Sequence, residues 1–130
     1  MKIEHVALYA RDLDAMLRFY VERLGARPGP RYENRERGFS SYFVSFASGC
    51  RLELMSLASL IESPASVGGD ARLGYAHLAL SLGSEDAVDR LTEELRAAGI
   101  TVLSGPRRTG DGYYESAVLD PEGNVIELTA

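Results

Sequence analysis

The chain has one cysteine, two histidines, and no apolar run approaching the ~20 residues that a membrane-crossing helix needs. Cys50 has no second cysteine with which to form an internal disulfide, which fits a reducing compartment. Basic residues are outnumbered, 14 Lys and Arg against 19 Asp and Glu, for a net charge of −5. A chain so poor in surplus cations offers no electrostatic footing for a phosphate backbone, so a nucleic-acid partner is not expected. No charged-then-apolar leader opens the sequence, and the expectation is a cytoplasmic protein that engages neither nucleic acid nor membrane.

What is present is ordinary in amount and unusual in arrangement. The 130 residues, 45% hydrophobic and 25% charged, suffice for one domain over 1–130 with a genuine core. The two histidines fall in matching apolar segments, Ile3–Ala10 (IEHVALYA) and Gly74–Leu82 (GYAHLALSL), which share the pattern His-x-Ala-Leu. Strand alternation puts Val6 and Leu8 on one face and His5 on the other. In the later segment Leu78 and Leu80 lie opposite His77 in the same way.

The matching extends along the chain. Asp12 and Ser84 each suit a helix N-cap. Leu13, Met16, Leu17, Tyr20 and Leu24 form the apolar stripe of the first helix, and Val88, Leu91, Leu95 and Ala98 that of the second. Gly25 and Gly99 close the two helices. The segment Gly38–Val44 aligns with Gly112–Val118, and the turn at Ser48-Gly49 with that at Asp120–Gly123. The pattern is a duplication: two modules, 1–58 and 73–130, joined by a linker over 59–72. Each reads strand, helix, strand, strand, strand, an α+β arrangement of two βαβββ modules. Strands are expected near Lys2–Tyr9, Ala26–Glu33, Phe39–Ala47 and Arg51–Leu57, then near Gly74–Leu82, Thr101–Thr109, Tyr113–Leu119 and Asn124–Thr129.

The final strand of each module carries an acid between two apolar residues, Leu52-Glu53-Leu54 and Ile126-Glu127-Leu128. Alternation buries the leucines and isoleucine against the helix and turns each glutamate to the opposite face. A carboxylate on such a face is stabilised by pairing or by a cation. His5, Glu53, His77 and Glu127, one imidazole and one carboxylate per module, can converge on a single divalent ion. Zinc, nickel, cobalt, iron and manganese all accept these donors. Four protein ligands leave two octahedral positions for water or substrate oxygens.

This four-residue set on paired modules resembles the vicinal oxygen chelate superfamily, and within it the glyoxalase I-like (glyoxalase/bleomycin resistance/dioxygenase) proteins. The ending Asp120-Pro121-Glu122-Gly123-Asn124 followed by Val125-Ile126-Glu127-Leu128 is typical of that family. The resemblance implies half-barrel modules around one divalent metal ion per site, zinc or nickel first, with cobalt, manganese or iron compatible. It also implies a homodimer with sites at the subunit interface, where His5 and Glu53 of one chain meet His77 and Glu127 of the other. The implied chemistry is a lyase or isomerase reaction on a small carbonyl substrate, such as a thiohemiacetal, through an enediolate. Glu127 would be the proton-transferring base, and Glu53 chiefly a ligand that assists.

Other residues shape expectations about substrate. Tyr9 and Leu57 stand where glyoxalase I enzymes carry polar glutathione contacts, which speaks against glutathione. Arg107 and Arg108 could clamp an anion, although neighbouring strand positions point opposite ways. Tyr113 and Tyr114 are expected to divide between core and pocket. Arg35-Glu36-Arg37 reads as a solvated turn, and Cys50 as a small strand residue. Two other functions fit the same pattern. One is an extradiol-type dioxygenase, which needs two histidines and one carboxylate. The other is a drug-binding resistance protein, with or without metal.

Overall fold

The computed structural model describes residues 3–47, 49–61 and 74–130. The chain divides into two compact units, Met1–Ser63 and Pro64–Ala130.

The first unit holds β1 (His5–Tyr9), α1 (Leu13–Arg18), β2 (Arg27–Pro28), β3 (Tyr32–Asn34), β4 (Phe39–Ser45) and β5 (Arg51–Leu57). Its sheet runs β1-β5-β4-β2, with β3 also on β4. The β1 strand is parallel to β5, with Val6 beside Leu52, Ala7 beside Glu53 and Leu8 beside Leu54. Leu52, Leu54 and Val44 are buried on the face against which α1 packs, together with Met16 and Tyr20. The alternation expected for β1 is observed: His5, Ala7 and Tyr9 are exposed, and Val6 and Leu8 are half-buried.

Two features of this unit depart from the sequence reading. The strand expected over Ala26–Glu33 is two short ones, β2 and β3, separated at Gly29-Pro30. Pro28 and Pro30 lack the N–H that a continuous ladder would use. The first helix is not one regular stripe either. After Arg18 it widens into a π-helical segment, Phe19–Arg23. The extra residue per turn rotates the buried face, so Phe19 (4% exposed) joins Tyr20 in the core while Leu17 and Leu24 stay only half-buried. Asp12 caps α1 as expected, accepting from the Ala15 N–H at 2.8 Å. Gly25 ends the segment at φ +69°.

The second unit holds β6 (Leu78–Ser81), α2 (Glu85–Ala97), β7 (Val102–Arg108), β8 (Tyr114–Leu119) and β9 (Val125–Thr129), in the sheet order β6-β9-β8-β7. The β6–β9 pairing is parallel, with Ala79 beside Glu127, which repeats the β1–β5 arrangement. Ser84 caps α2 through the Ala87 N–H. Val88, Leu95, Val118, Ile126 and Leu128 form the core. The second helix buries Thr92 rather than Ala98, which is exposed. The Thr92 hydroxyl donates to the Val88 carbonyl at 2.6 Å and lies 2.6 Å from the Ser116 hydroxyl, so neither buried oxygen is orphaned. The closing turn matches its sequence signature. Asp120 Oδ1 accepts from the Glu122 and Asn124 N–H groups, and Gly123 takes φ +84°.

The strand expected from Gly74 begins only at Leu78, so His77 directly precedes it. The expected linker, 59–72, lies outside the described residues from 62 onward, as do Lys2 of the first expected strand and Ser48 of the first turn. Of the linker's start, Leu60 donates its N–H to the Leu57 carbonyl at 3.0 Å, and Ile61 is exposed. Among the described residues, no helix is long and apolar enough to cross a membrane.

Candidate functional site

In the first unit, β5 places Glu53 on the face away from α1, flanked across the sheet by Ala7 on β1 and Phe43 on β4. His5 shares that face two residues along, in register with Arg51. The His5 ring meets the Phe43 ring edge-on, with centroids 5.4 Å apart and planes at 89°. The Arg51 guanidinium lies over the same phenyl ring at 4.1 Å. Glu4 ties these two side chains together, accepting hydrogen bonds from His5 Nδ1 and from Arg51 Nη2. The bond with His5 first, and then that from Arg51, hold the Glu4 carboxyl below the usual carboxylate range.

Beside this cluster lies a cavity of about 560 Å³, in which Glu53 and Arg51 meet Pro28, Tyr32, Phe39 and Phe43. Its walls are largely apolar, with the Glu53 carboxylate among them. A smaller cavity of about 120 Å³ is lined by Tyr9, Tyr32, Asn34, Arg37, Phe39 and Leu57. Arg37, read as part of a solvated turn, therefore borders a cavity, and its N–H donates to Asn34 Oδ1.

In the second unit, β9 places Glu127 between Ala79 on β6 and Ala117 on β8. His77 Nε2 and Glu127 Oε2 are 3.1 Å apart, and both side chains keep some exposure, 43% and 21%. Two residues along the same face Glu115 meets Arg107 Nη2 at 3.5 Å, and Arg107 also donates to Ser104 Oγ. Arg108 points the other way, to Glu85 at the start of α2 and the Tyr114 ring. Both arginines considered as an anion clamp therefore already have carboxylate partners. Tyr113 is 58% exposed rather than buried in core or pocket. Tyr114 lies toward α2, where its hydroxyl donates to Asp89 at 2.7 Å, a bond that raises the phenol above its ordinary value. Cys50 is half-buried, its thiol 3.6 Å from the Arg51 carbonyl.

Each of the two units thus carries one imidazole and one carboxylate on the face its helix leaves free. Among the described residues, no three His, Cys, Asp or Glu side chains gather as an ion-holding group. The sequence reading passed over Glu4, Phe43, Arg51 and Glu115. The signal for Arg51 was available: it lies two residues from Glu53, and so on the same strand face.

Two sheets, each with a parallel strand pair at one edge and a helix packed on one face, define a particular class of α+β protein. The profile of the Glyoxalase/Bleomycin resistance protein/Dioxygenase superfamily matches residues 2–128, and the chain belongs to that superfamily. It is similar to the uncharacterized protein YqjT of Bacillus subtilis, 31% identical over 98% of both chains. It is also 30% identical to a lactoylglutathione lyase of Haemophilus influenzae, over 98% of this chain and 91% of that one. Among solved structures, a glyoxalase family protein from Enterococcus faecalis superposes with a TM-score of 0.79 at 25% identity, covering 99% of this chain and 97% of the other. The fold expected from the duplicated modules is the fold of these glyoxalase-like proteins.

Proposed function

We propose that the chain is a divalent-metal-dependent lyase or isomerase of the glyoxalase I type, acting on a small carbonyl compound. The observation that carries this reading is the 3.1 Å approach of His77 Nε2 and Glu127 Oε2 on the helix-free face of the second sheet. The donor set fits a first-row divalent ion: imidazole and carboxylate, side by side and still partly open. His5 and Glu53 supply the matching pair, and the four hold one ion, zinc or nickel before cobalt, manganese or iron. In a homodimer, His5 and Glu53 of one chain would join His77 and Glu127 of the other. When bound, the ion would polarise the substrate carbonyl and offset the charge left by proton removal.

The residues of the chain do the rest. Glu127 takes the proton from the carbon beside the carbonyl and returns it to the neighbouring carbon. His77, against Glu127, keeps that carboxylate aimed. The largely apolar cavity beside Glu53 receives the organic part of the substrate and excludes water from it. That cavity also suits the second reading, a resistance protein that sequesters an apolar drug without chemistry. Elemental analysis of the purified protein separates the metal reading from metal-free sequestration. The metal reading expects about one ion per chain, in material that sediments as a dimer, with most of the ion lost in His77→Ala. Metal-free wild type, or unchanged content in His77→Ala, would sink it.

A further inference from the structure

The first unit contains a closed group of four side chains of which only one, His5, is a proposed ligand. Phe43 sets the plane of the His5 ring through the edge-on contact, and Glu4 takes one ring nitrogen, Nδ1. Glu4 is itself anchored twice by Arg51: the Arg51 side chain donates to its carboxylate, and the Arg51 backbone N–H donates to its carbonyl at 3.1 Å. Arg51 in turn is braced on Phe43. All four side chains come from three adjacent strands or the residue preceding one, so the sheet register brings them together.

A neutral imidazole carries one N–H and one lone pair, and the partner of one nitrogen decides which atom remains to bind an ion. A carboxylate at Nδ1 keeps the hydrogen there and presents Nε2, while also raising the basicity of the ligand. We propose that Glu4, anchored by Arg51, is a positioning residue that fixes the His5 tautomer and ring orientation, so that Nε2 is the atom offered to the divalent ion. The inference rests on the metal reading above and assigns two residues which that reading leaves without a role.

Nitrogen-15 NMR of the metal-free protein, at a pH well above the imidazole range, reads the tautomer directly. Calorimetric titration with Zn²⁺ alone reads affinity. Wild type should show His5 protonated at Nδ1. Glu4→Ala should shift His5 toward the Nε2–H form, leave the His77 signals where they were, and weaken Zn²⁺ binding by about 10- to 100-fold, the usual effect of removing such a partner. Arg51→Gln separates positioning from bulk charge. Removing a cation would strengthen Zn²⁺ binding if charge alone mattered, whereas loss of the anchor should weaken it. A wild-type His5 protonated at Nε2, unchanged affinity in Glu4→Ala, or tighter binding in Arg51→Gln would overturn the proposal while leaving the metal site standing. A wild type that binds no Zn²⁺ would overturn the metal reading itself, and this inference with it.

Discussion

The two units carry the same pair of side chains and treat them differently. In the second, the position across the sheet from Glu127 is Ala117, and His77 approaches the carboxylate to 3.1 Å. In the first, the position across from Glu53 is Phe43, and His5 is engaged by the phenyl ring and by Glu4. Phe43 and Ala117 are equivalent positions of the duplication, and so are Glu4 and Ala76, and Arg51 and Val125, so three substitutions distinguish the neighbourhoods. A methyl group leaves the carboxylate open to its own histidine. A phenyl ring gives the histidine and an arginine a surface to pack on, and forms part of the wall of a cavity beside Glu53. Duplication thus supplied one imidazole and one carboxylate to each unit, and divergence around them left one carboxylate against its own histidine and the other beside a cavity.

The largest expected effect tests that division of labour. Glu127→Gln keeps size and one coordinating oxygen but is a far weaker base. It should lower turnover ~100- to 10,000-fold while retaining much of the metal. Glu53→Gln should cost less in turnover, the part proposed for it being to hold the ion. Steady-state rates on a carbonyl substrate, with metal content measured alongside, make the comparison. Full activity in Glu127→Gln, or greater sensitivity at Glu53, would mean that the assignment of the base to the second unit is wrong.

A second contrast lies in the cores. The second unit buries a polar pair, Thr92 with Ser116, where the first buries Ser41 at a different place in its sheet. Thr92→Val leaves the Ser116 hydroxyl without its partner and should destabilise the protein by about 1–3 kcal/mol in denaturant unfolding. Adding Ser116→Ala should restore part of the loss, because both polar groups are then gone. A double variant less stable than the sum of the singles would mean that the pair is not the unit of stabilisation.

The smallest effect compares equivalent glycines. Gly38 and Gly112 both take positive φ, +57° and +98°. Alanine at either should lose about 1–2 kcal/mol from the left-handed backbone. At Gly38 the new Cβ would also come within 2.7 Å of the Ala58 Cβ, whereas at Gly112 it would meet nothing within 4 Å. Thermal unfolding should therefore rank Gly38→Ala below Gly112→Ala; equal losses would show that Ala58 moves aside freely.

Much of this molecule was legible in the chain because its signals are local and were written twice. The caps at Asp12 and Ser84, the helix-closing Gly25 and Gly99, and β5 over Arg51–Leu57 lie where the pattern put them. The misses have local causes of a less regular kind. Apolar spacing cannot announce a π-helical insertion, so Phe19 was passed over. A proline-flanked glycine divided one expected strand into β2 and β3.

By itself, the sequence determined which sheet face Glu53 and Glu127 would occupy. A period of two is a property of the strand, and Leu52-Glu53-Leu54 or Ile126-Glu127-Leu128 states it without reference to anything else in the chain. Only the tertiary structure decided the company each residue keeps. Arg51 reaches Glu4 across 47 residues of sequence, and Glu53 stands beside Phe43, because strand register set those neighbours. Register arises from the pairing of whole strands, so no single segment contains it.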